Sequence, residues 1–251
     1  MNDAGSGTRP VVLVIAATDS SGGAGITRDV QVLADLSVDA LCVVTAVTAQ
    51  SNSRVTGVHH IPPEVICAQV AAAFETRRID AIKIGMLGTR ATVDAVVDSL
   101  TRGVSVPVVL DPVLVSSSGG VLLDAGGRDS MRKNLFPLAL LVTPNVPEAA
   151  ALLDADIANS EPLLTAQAQS LLALGPEAVL IKGGHLGGDE AVDLLVSRDH
   201  GLQRIPSRRL RTSRRGTGCT LASAIAAGVA SGMSLSDACV HAKRYVLGYL
   251  A

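Results

Sequence analysis

Short apolar runs alternate with amphipathic helical patterns along almost the whole of this 251-residue chain. Residues 11–17 form an unbroken, largely β-branched run, as in a strand buried on both faces. Further strands are predicted at 40–48, 81–84, 106–110, 139–142 and 178–181, with shorter ones at 191–196 and 202–205 that suit a hairpin-like edge. Helices are predicted from Gly25 to about Leu36 and at 63–74, 89–100, 127–135, 163–174, 217–231 and 234–249. This alternation predicts a three-layer α-β-α fold, with a mostly parallel central sheet flanked by helices.

No linker, low-complexity block or internal repeat divides the pattern. Residues 11–251 are therefore predicted to form a single domain, behind a polar and disordered lead-in at residues 1–10. Aromatic residues make up only 2% of the chain, so Ala, Val, Leu and Ile must build the core. That composition suits buried parallel strands covered by helices.

Charge and cysteine content narrow the classes of partner. The net charge of −2 indicates neither a nucleic-acid nor a membrane-surface partner. No apolar run approaches the roughly 18 residues of a membrane span, and the lead-in lacks the build of a signal peptide. The four cysteines show no C-x-x-C pair and no metal-ligand spacing: Cys42, Cys67, Cys219 and Cys239. We therefore expect a soluble protein of the reducing cytoplasm, without disulfides or zinc.

Polar and glycine residues follow six predicted strands in succession. They are residues 19–25, Gln50 with Asn52, Gly85 with Met86, Asp111, Asn145 with Glu148, and residues 182–185. Ligands of such sheets bind at the carboxyl ends of the strands, so the set predicts an extended cleft. Each position also has a structural interpretation: Asp111 in a turn, Asn145 and Glu148 as helix caps, and Lys182 on the surface.

A glycine-rich turn precedes the helix predicted at 217–231. Gly216 and Gly218 allow a sharp turn that leaves the first amide groups of the helix free, which suits a phosphate or a developing anion. Cys219 lies in the first turn, where the helix field lowers a thiol pKa. The alternative is a tight packing turn with Cys219 as a small buried apolar residue. Six nearby arginines between Arg204 and Arg215 either form a solvated surface or attract a polyphosphate.

Two acids, one lysine and an anion-binding turn match phosphoryl transfer with Mg²⁺. Asp111 and Glu148 are the candidate metal ligands, and Lys182 would neutralise phosphate charge. The chain has no G-x-x-x-x-G-K-[ST] motif, which excludes a P-loop NTPase. Residues 22–25 read Gly-Gly-Ala-Gly, which is not a dinucleotide-binding fingerprint.

An ordered series of motifs from about Val11 to Ala242 resembles a known family. They are TDSSGGAGI at 18–26, AQ at 49–50, KIGML at 83–87, LDPV at 110–113, TPNVPEA at 143–149, KGGH at 182–185 and GTGCT at 216–220. The series resembles the hydroxymethylpyrimidine/phosphomethylpyrimidine kinases of thiamine biosynthesis, in the ribokinase-like superfamily. The resemblance implies ATP-dependent phosphorylation of 4-amino-5-hydroxymethyl-2-methylpyrimidine and then of its monophosphate.

The resemblance also implies roles for individual residues. Gln50 would bind the aminopyrimidine edge, and the rest of its pocket would be Ala17, Ala24, Asp29, Met86 and Val113. The nucleotide phosphates and Mg²⁺ would meet Asp111, Asn145, Glu148, Lys182 and Thr217. The catalytic turn would be Gly216, Thr217, Gly218 and Cys219, with Cys219 where the sugar kinases carry an aspartate base. The family is typically a homodimer.

Three departures from the family pattern bear on the nucleotide and the pocket. Ser213-Arg214-Arg215 replaces the usual Asn-Thr-His, which could tighten phosphate binding or alter substrate preference, and Ala17 replaces a common glycine. The chain stops at Ala251, before the usual glycine-rich tail near the nucleotide. Two alternatives stay open: a pyridoxal or pyridoxine kinase of the same subgroup, and a non-catalytic pyrimidine-binding regulator.

Overall fold

The computed structural model describes residues 8–102, 105–116, 119–185, 189–212 and 214–251. In these ranges the ten strands are β1 Val11–Ala16, β2 Asp39–Val44, β3 Ala46–Gln50, β4 Val55–His60, β5 Ala81–Ile84, β6 Val108–Leu110, β7 Leu141–Val142, β8 Ala178–Ile181, β9 Glu190–Ser197 and β10 Gly201–Arg208. The eight α-helices of the same ranges are α1 Gly25–Asp35, α2 Pro63–Thr76, α3 Arg90–Leu100, α4 Ala125–Ser130, α5 Val146–Leu153, α6 Glu161–Leu172, α7 Thr217–Ala230 and α8 Leu235–Leu250.

The main sheet confirms the predicted α/β architecture. Its strand order is β10-β9-β8-β7-β6-β5-β1-β2. The six strands from β8 to β2 in this order run parallel, while β9 and β10 are antiparallel and form the predicted hairpin edge. The carboxyl ends of the six parallel strands therefore open onto one edge of the sheet.

Alternation along the buried strand β1 divides the core into two apolar layers. Leu13 and Ile15 pack into the layer that includes residues of α2, α3, α5 and α6. Val12 and Val14 pack into the opposite layer, with residues of α1, α7 and α8. Helix α7 fits against this face because it is rich in alanine, which allows close approach of helix and sheet. The result is three layers, as predicted.

The prediction of one continuous strand at 40–48 is wrong. It divides into β2 and β3 at Thr45, whose N–H donates to the Ala16 carbonyl at 3.0 Å and whose hydroxyl donates to the Met86 carbonyl at 2.7 Å. Strand β3 then pairs with β4, which was not predicted, in a separate antiparallel sheet. A continuous apolar run could not reveal this division, because the bonds that make it are tertiary.

Smaller differences concern the ends of elements. The helix predicted at 127–135 begins earlier as α4 and continues as a π-helical turn, Met131–Leu135. Residues 8–10 contain neither helix nor strand, and the rest of the predicted lead-in lies outside the described residues. Among the described residues, no helix combines the length and apolar character that crossing a membrane requires.

Candidate active site

A cavity of about 740 Å³ lies at the carboxyl edge of the sheet. It brings together most of the residues singled out in the sequence: Ala24, Gln50, Asp111, Val113, Asn145, Glu148, Lys182, Gly216, Thr217, Gly218 and Cys219. These residues come from six separate segments of the chain. Parallel strands account for four of these segments, since β1, β6, β7 and β8 deliver their following loops to the same edge.

Asp111, Glu148 and Lys182 form a charged group at the centre of the cavity. Lys182 Nζ lies 2.9 Å from Asp111 Oδ1 and 3.7 Å from Glu148 Oε2. The Thr143 hydroxyl also donates to Asp111 Oδ1, at 3.2 Å. Burial opposes the charge of Lys182, but the two carboxylates outweigh it and raise the pKa of this lysine. Burial raises the pKa of Glu148, while Lys182 acts in the opposite direction.

Asn145 and Glu148 form a capping box at the start of α5. The Asn145 side-chain oxygen accepts from the Glu148 N–H at 2.8 Å, and Glu148 Oε2 accepts from the Asn145 N–H at 2.7 Å. The structural interpretation of this pair is therefore confirmed. Both residues nevertheless line the cavity, so helix capping fixes the Glu148 carboxylate beside Lys182.

The turn at 216–219 forms the amino end of α7. Gly216 has φ of 74°, and a Cβ there would lie 2.2 Å from the Gly23 carbonyl oxygen, so only glycine fits. A Cβ on Gly218 would lie 3.3 Å from Asp111 Oδ2 and 3.4 Å from Lys182 Nζ. The first turn of α7 has amide groups without intrahelical partners, and it faces the charged group across the cavity.

The expectation of a lowered thiol pKa at Cys219 is wrong. Burial of the thiol raises its pKa to about 11, against the opposing influence of Lys83 and of the Gly25 N–H. The negative charges of Asp29 and Asp111 act in the same direction as burial. With its pKa raised to about 11, the thiol is protonated near neutral pH.

Three residues assigned to the substrate pocket do not line this cavity. Asp29 is fully buried, and its carboxylate accepts from Lys83 Nζ at 2.7 Å and from the Ser223 hydroxyl at 2.8 Å. Ala17 is buried, and its carbonyl accepts from the Ile26 N–H at 3.0 Å. Met86 contributes a carbonyl to the Thr45 hydroxyl. In this structure all three residues stabilise the loops around the cavity without lining it.

The cavity also contains residues that the sequence analysis did not identify as part of a site. At the end formed by β9, β10 and α8, Asp193 Oδ2 pairs with Lys243 Nζ at 2.8 Å, and Asp193 Oδ1 accepts from the Gly183 N–H at 3.0 Å. Strands β9 and β10 are antiparallel, so the rule for parallel strand ends gave no signal there. Arg215 also lines the cavity, but it already pairs with Asp19.

Potential metal ligands are sparse in the described ranges. There, His, Cys, Asp and Glu residues form no group of three or more that could hold a metal ion. Asp111 and Glu148 instead present two buried carboxylates beside one ammonium, in a cavity wide enough for a ligand. This donor set suits a hard cation whose remaining ligands are water and phosphate.

The fold is that of the ribokinase-like kinases, and the cavity lies at the carboxyl ends of the parallel strands, where such sheets bind their ligands. The sequence matches the family described as phosphomethylpyrimidine kinase over residues 19–251. The chain is 43% identical over 237 residues to a hydroxymethylpyrimidine/phosphomethylpyrimidine kinase of Rhizobium meliloti, which covers 94% of this chain and 88% of the relative. The chain belongs to the phosphomethylpyrimidine kinase family.

Solved structures support the same placement. The crystal structure of phosphomethylpyrimidine kinase from Clostridium difficile superposes with a TM-score of 0.85 at 33% identity, covering 97% of this chain and all of that one. Pyridoxal kinase from Staphylococcus aureus, in complex with AMP-PCP and pyridoxal, superposes with a TM-score of 0.87 at 30% identity, covering 96% and 87%. The backbone alone therefore does not separate the two activities, and the higher sequence identity favours the pyrimidine kinases.

Proposed function

We propose that this chain transfers the terminal phosphoryl group of ATP to the hydroxymethyl group of 4-amino-5-hydroxymethyl-2-methylpyrimidine, and then phosphorylates the resulting monophosphate. Family membership supports this activity. The observation that carries it is the facing arrangement of the Gly216–Cys219 turn and the Asp111–Lys182 ion pair across one cavity. Phosphoryl transfer requires chiefly this kind of positioning and charge neutralisation.

The acceptor alcohol would bind near Gln50, Ala24 and Val113. The Gln50 backbone is held on both sides by Ser20, whose hydroxyl donates to the Gln50 carbonyl at 2.7 Å and accepts from its N–H at 2.8 Å. Within the described part of the chain, the Gln50 side-chain amide has no hydrogen-bond partner. A fixed backbone and an available amide suit recognition of the aminopyrimidine edge. Ala17, Asp29 and Met86 would shape this pocket indirectly.

The triphosphate would occupy the opposite side of the cavity, with Asn145, Lys182 and Thr217 as its contacts. Asp111 and Glu148 would hold Mg²⁺, because two buried carboxylates that line the same cavity match its preference for oxygen ligands. When bound, this ion would supply positive charge to the phosphate oxygens. Lys182 adds a second positive charge, and the α7 amides would hold the transferring group. Residues 11–251 would act as one kinase domain, since Val113 on the acceptor side and Lys182 on the phosphate side both follow strands of the main sheet.

Cys219 would shape the turn rather than remove a proton. Its raised pKa, about 11, leaves little thiolate at neutral pH, and a loose phosphoryl-transfer transition state needs little assistance from a base. The free amides of the turn would therefore carry the catalytic contribution of this segment.

The resemblance also leads us to propose a homodimer, which light scattering of the purified chain would test.

A coupled ADP-release assay tests the activity. We expect turnover with the hydroxymethylpyrimidine and with its monophosphate, and a much lower kcat/KM with pyridoxal. Turnover on pyridoxal alone would replace the proposal with a pyridoxal kinase. Saturable pyrimidine binding without ADP release would indicate the non-catalytic regulator.

Variants at each half of the site sharpen this test. Gln50→Ala should raise KM for the pyrimidine more than KM for ATP, and an equal effect on both would contradict its assignment. Asp111→Asn should lower kcat and raise the Mg²⁺ concentration needed for half-maximal rate, because one negatively charged ligand is lost. An unchanged Mg²⁺ dependence would remove Asp111 from the metal site.

A further inference from the structure

The Arg215 side chain joins three segments at the acceptor end of the cavity. Its Nη2 lies 3.2 Å from Asp19 Oδ2, and its Nη1 lies 3.2 Å from the Ser21 hydroxyl, both in the loop after β1. Nη1 also donates to the Ser51 carbonyl, at the tip of the β3–β4 hairpin. Arg215 itself directly precedes the catalytic turn. One guanidinium therefore connects both loops to that turn.

The surroundings of the Asp19 carboxylate suit an ion pair with the Arg215 guanidinium. Its side chain is only 3% exposed, and that of Arg215 is 21% exposed. Asp19 Oδ1 accepts from the Ser21 N–H at 2.9 Å and from the Ser21 hydroxyl at 2.8 Å, which leaves Oδ2 for Arg215. A buried carboxylate that loses its cation is strongly disfavoured. The planar, forked guanidinium presents separate nitrogens in a fixed geometry to the two loops, which the single nitrogen of an ammonium does not reproduce.

The loop after β1 and strand β3 already form one unit without Arg215. The Thr18 N–H donates to the Ala46 carbonyl at 2.9 Å, and the Thr48 hydroxyl donates to the Thr18 carbonyl at 2.8 Å. Ser20 adds its two bonds to the Gln50 backbone. This acceptor unit, residues 18–24 with 46–54, carries Gln50. Arg215 is the side chain that ties the tip of the unit to the anion-binding turn.

We propose that Arg215 is a positioning residue that fixes the acceptor unit against the turn at 216–219, and that it thereby sets the place of Gln50 relative to the transferred phosphoryl group. This role rests on the proposed function. Arg215 is thus committed to an ion pair with Asp19 and does not simply add positive charge for phosphate. Arg215 affects catalysis by setting the position of the bound acceptor.

Hydrogen exchange of the protein without ligands tests the placement. We expect Arg215→Gln to speed exchange by about tenfold in residues 19–24 and 50–54, whose protected amides include Gly22 and Ser51. Exchange in β1 should stay unchanged. Arg211→Gln is the matched control, since Arg211 is exposed in the same segment and does not line the cavity. Wild-type exchange in both segments of Arg215→Gln would overturn the proposal.

Steady-state kinetics test the consequence. Arg215→Gln should raise KM for the pyrimidine about tenfold while KM for ATP changes less than about twofold, and Arg215→Lys should recover only part of the loss. Equal changes in both KM values, or full recovery with lysine, would overturn the positioning role. If Arg215→Gln does not fold, Ser21→Ala removes one of its partners, and faster exchange at 50–54 is again expected. If the wild-type protein is inactive on the pyrimidine, the proposed function is refuted. Hydrogen exchange would still show whether Arg215 holds the acceptor unit against the turn.

Discussion

Gly218 faces the carboxylate of Asp111 so closely that a methyl group on its Cα would lie 3.3 Å from Oδ2. The same methyl would lie 3.4 Å from Lys182 Nζ, in the space where a phosphate would sit. We expect Gly218→Ala to lower kcat roughly 10- to 100-fold, because small displacements of reacting groups are costly. The midpoint of thermal unfolding should hardly change, since alanine favours the helix. An unchanged kcat would contradict the placement of the transferring group.

Gly216→Ala provides the contrasting control. Its positive φ and the 2.2 Å approach of a Cβ to the Gly23 carbonyl oxygen mean that the backbone must move. This variant should lose thermal stability together with activity, unlike Gly218→Ala. Similar unfolding midpoints for the two variants would show that the turn tolerates side chains at both positions.

The thiol of Cys219 should not act as a base near neutral pH. Because burial raises its pKa to about 11, a thiolate-dependent rate would keep rising with pH towards that value. We expect Cys219→Ala to retain turnover within about tenfold of the wild type and to keep the same pH–rate profile between about pH 7 and pH 9. A profile that rises through this range in the wild type and flattens in the variant would restore Cys219 as the base.

The apolar runs in the sequence predicted the main sheet well, because its buried strands consist largely of apolar residues. Residues 81–84 and 178–181 were predicted with the bounds that the structure gives. The β3–β4 hairpin was not foreseen, since β4 is exposed and its sequence shows little apolar alternation. Its position depends on bonds such as that between Thr48 and Thr18, which no local pattern encodes.

The candidate site was predictable where a strand end carries the functional group. Asp111 and Lys182 follow β6 and β8 directly, so their meeting follows from the parallel order of the strands. The pairing of Arg215 with Asp19 spans 196 positions and could not be read from the sequence. Asp29 was assigned to the pocket by resemblance, yet in the structure its carboxylate faces Lys83.

Removing one partner of the buried Lys83–Asp29 ion pair should strongly destabilise the fold. Both side chains are fully buried, with Nζ 2.7 Å from Oδ2. We expect Lys83→Met to lower the free energy of unfolding by ~3–5 kcal/mol, because it leaves a buried carboxylate without its cation. Burial then raises the pKa of Asp29, so protonation at lower pH should relieve the loss. Urea unfolding should therefore show a larger deficit at pH 8 than at pH 5, and a pH-independent deficit would contradict the explanation.

Tyr249 should support the catalytic turn from outside the cavity. Its hydroxyl donates to the Arg215 carbonyl at 2.9 Å, and the Arg28 guanidinium lies 3.9 Å from its ring centroid. Arg28 in turn donates to the Thr220 hydroxyl in α7 at 2.9 Å. Tyr249→Phe removes only the bond to the turn, and we expect it to lower kcat roughly three- to tenfold.

Tyr245→Phe is the matched control for this last prediction. Tyr245 lies one turn earlier on α8, and its hydroxyl donates to Asp35 at 2.7 Å, away from the turn. Each substitution removes one phenolic hydrogen bond from the same helix, so any general weakening of α8 should appear in both. A loss of kcat in Tyr249→Phe alone would locate the effect at the Arg215 carbonyl. Equal losses in the two variants would show that α8 acts only through overall stability.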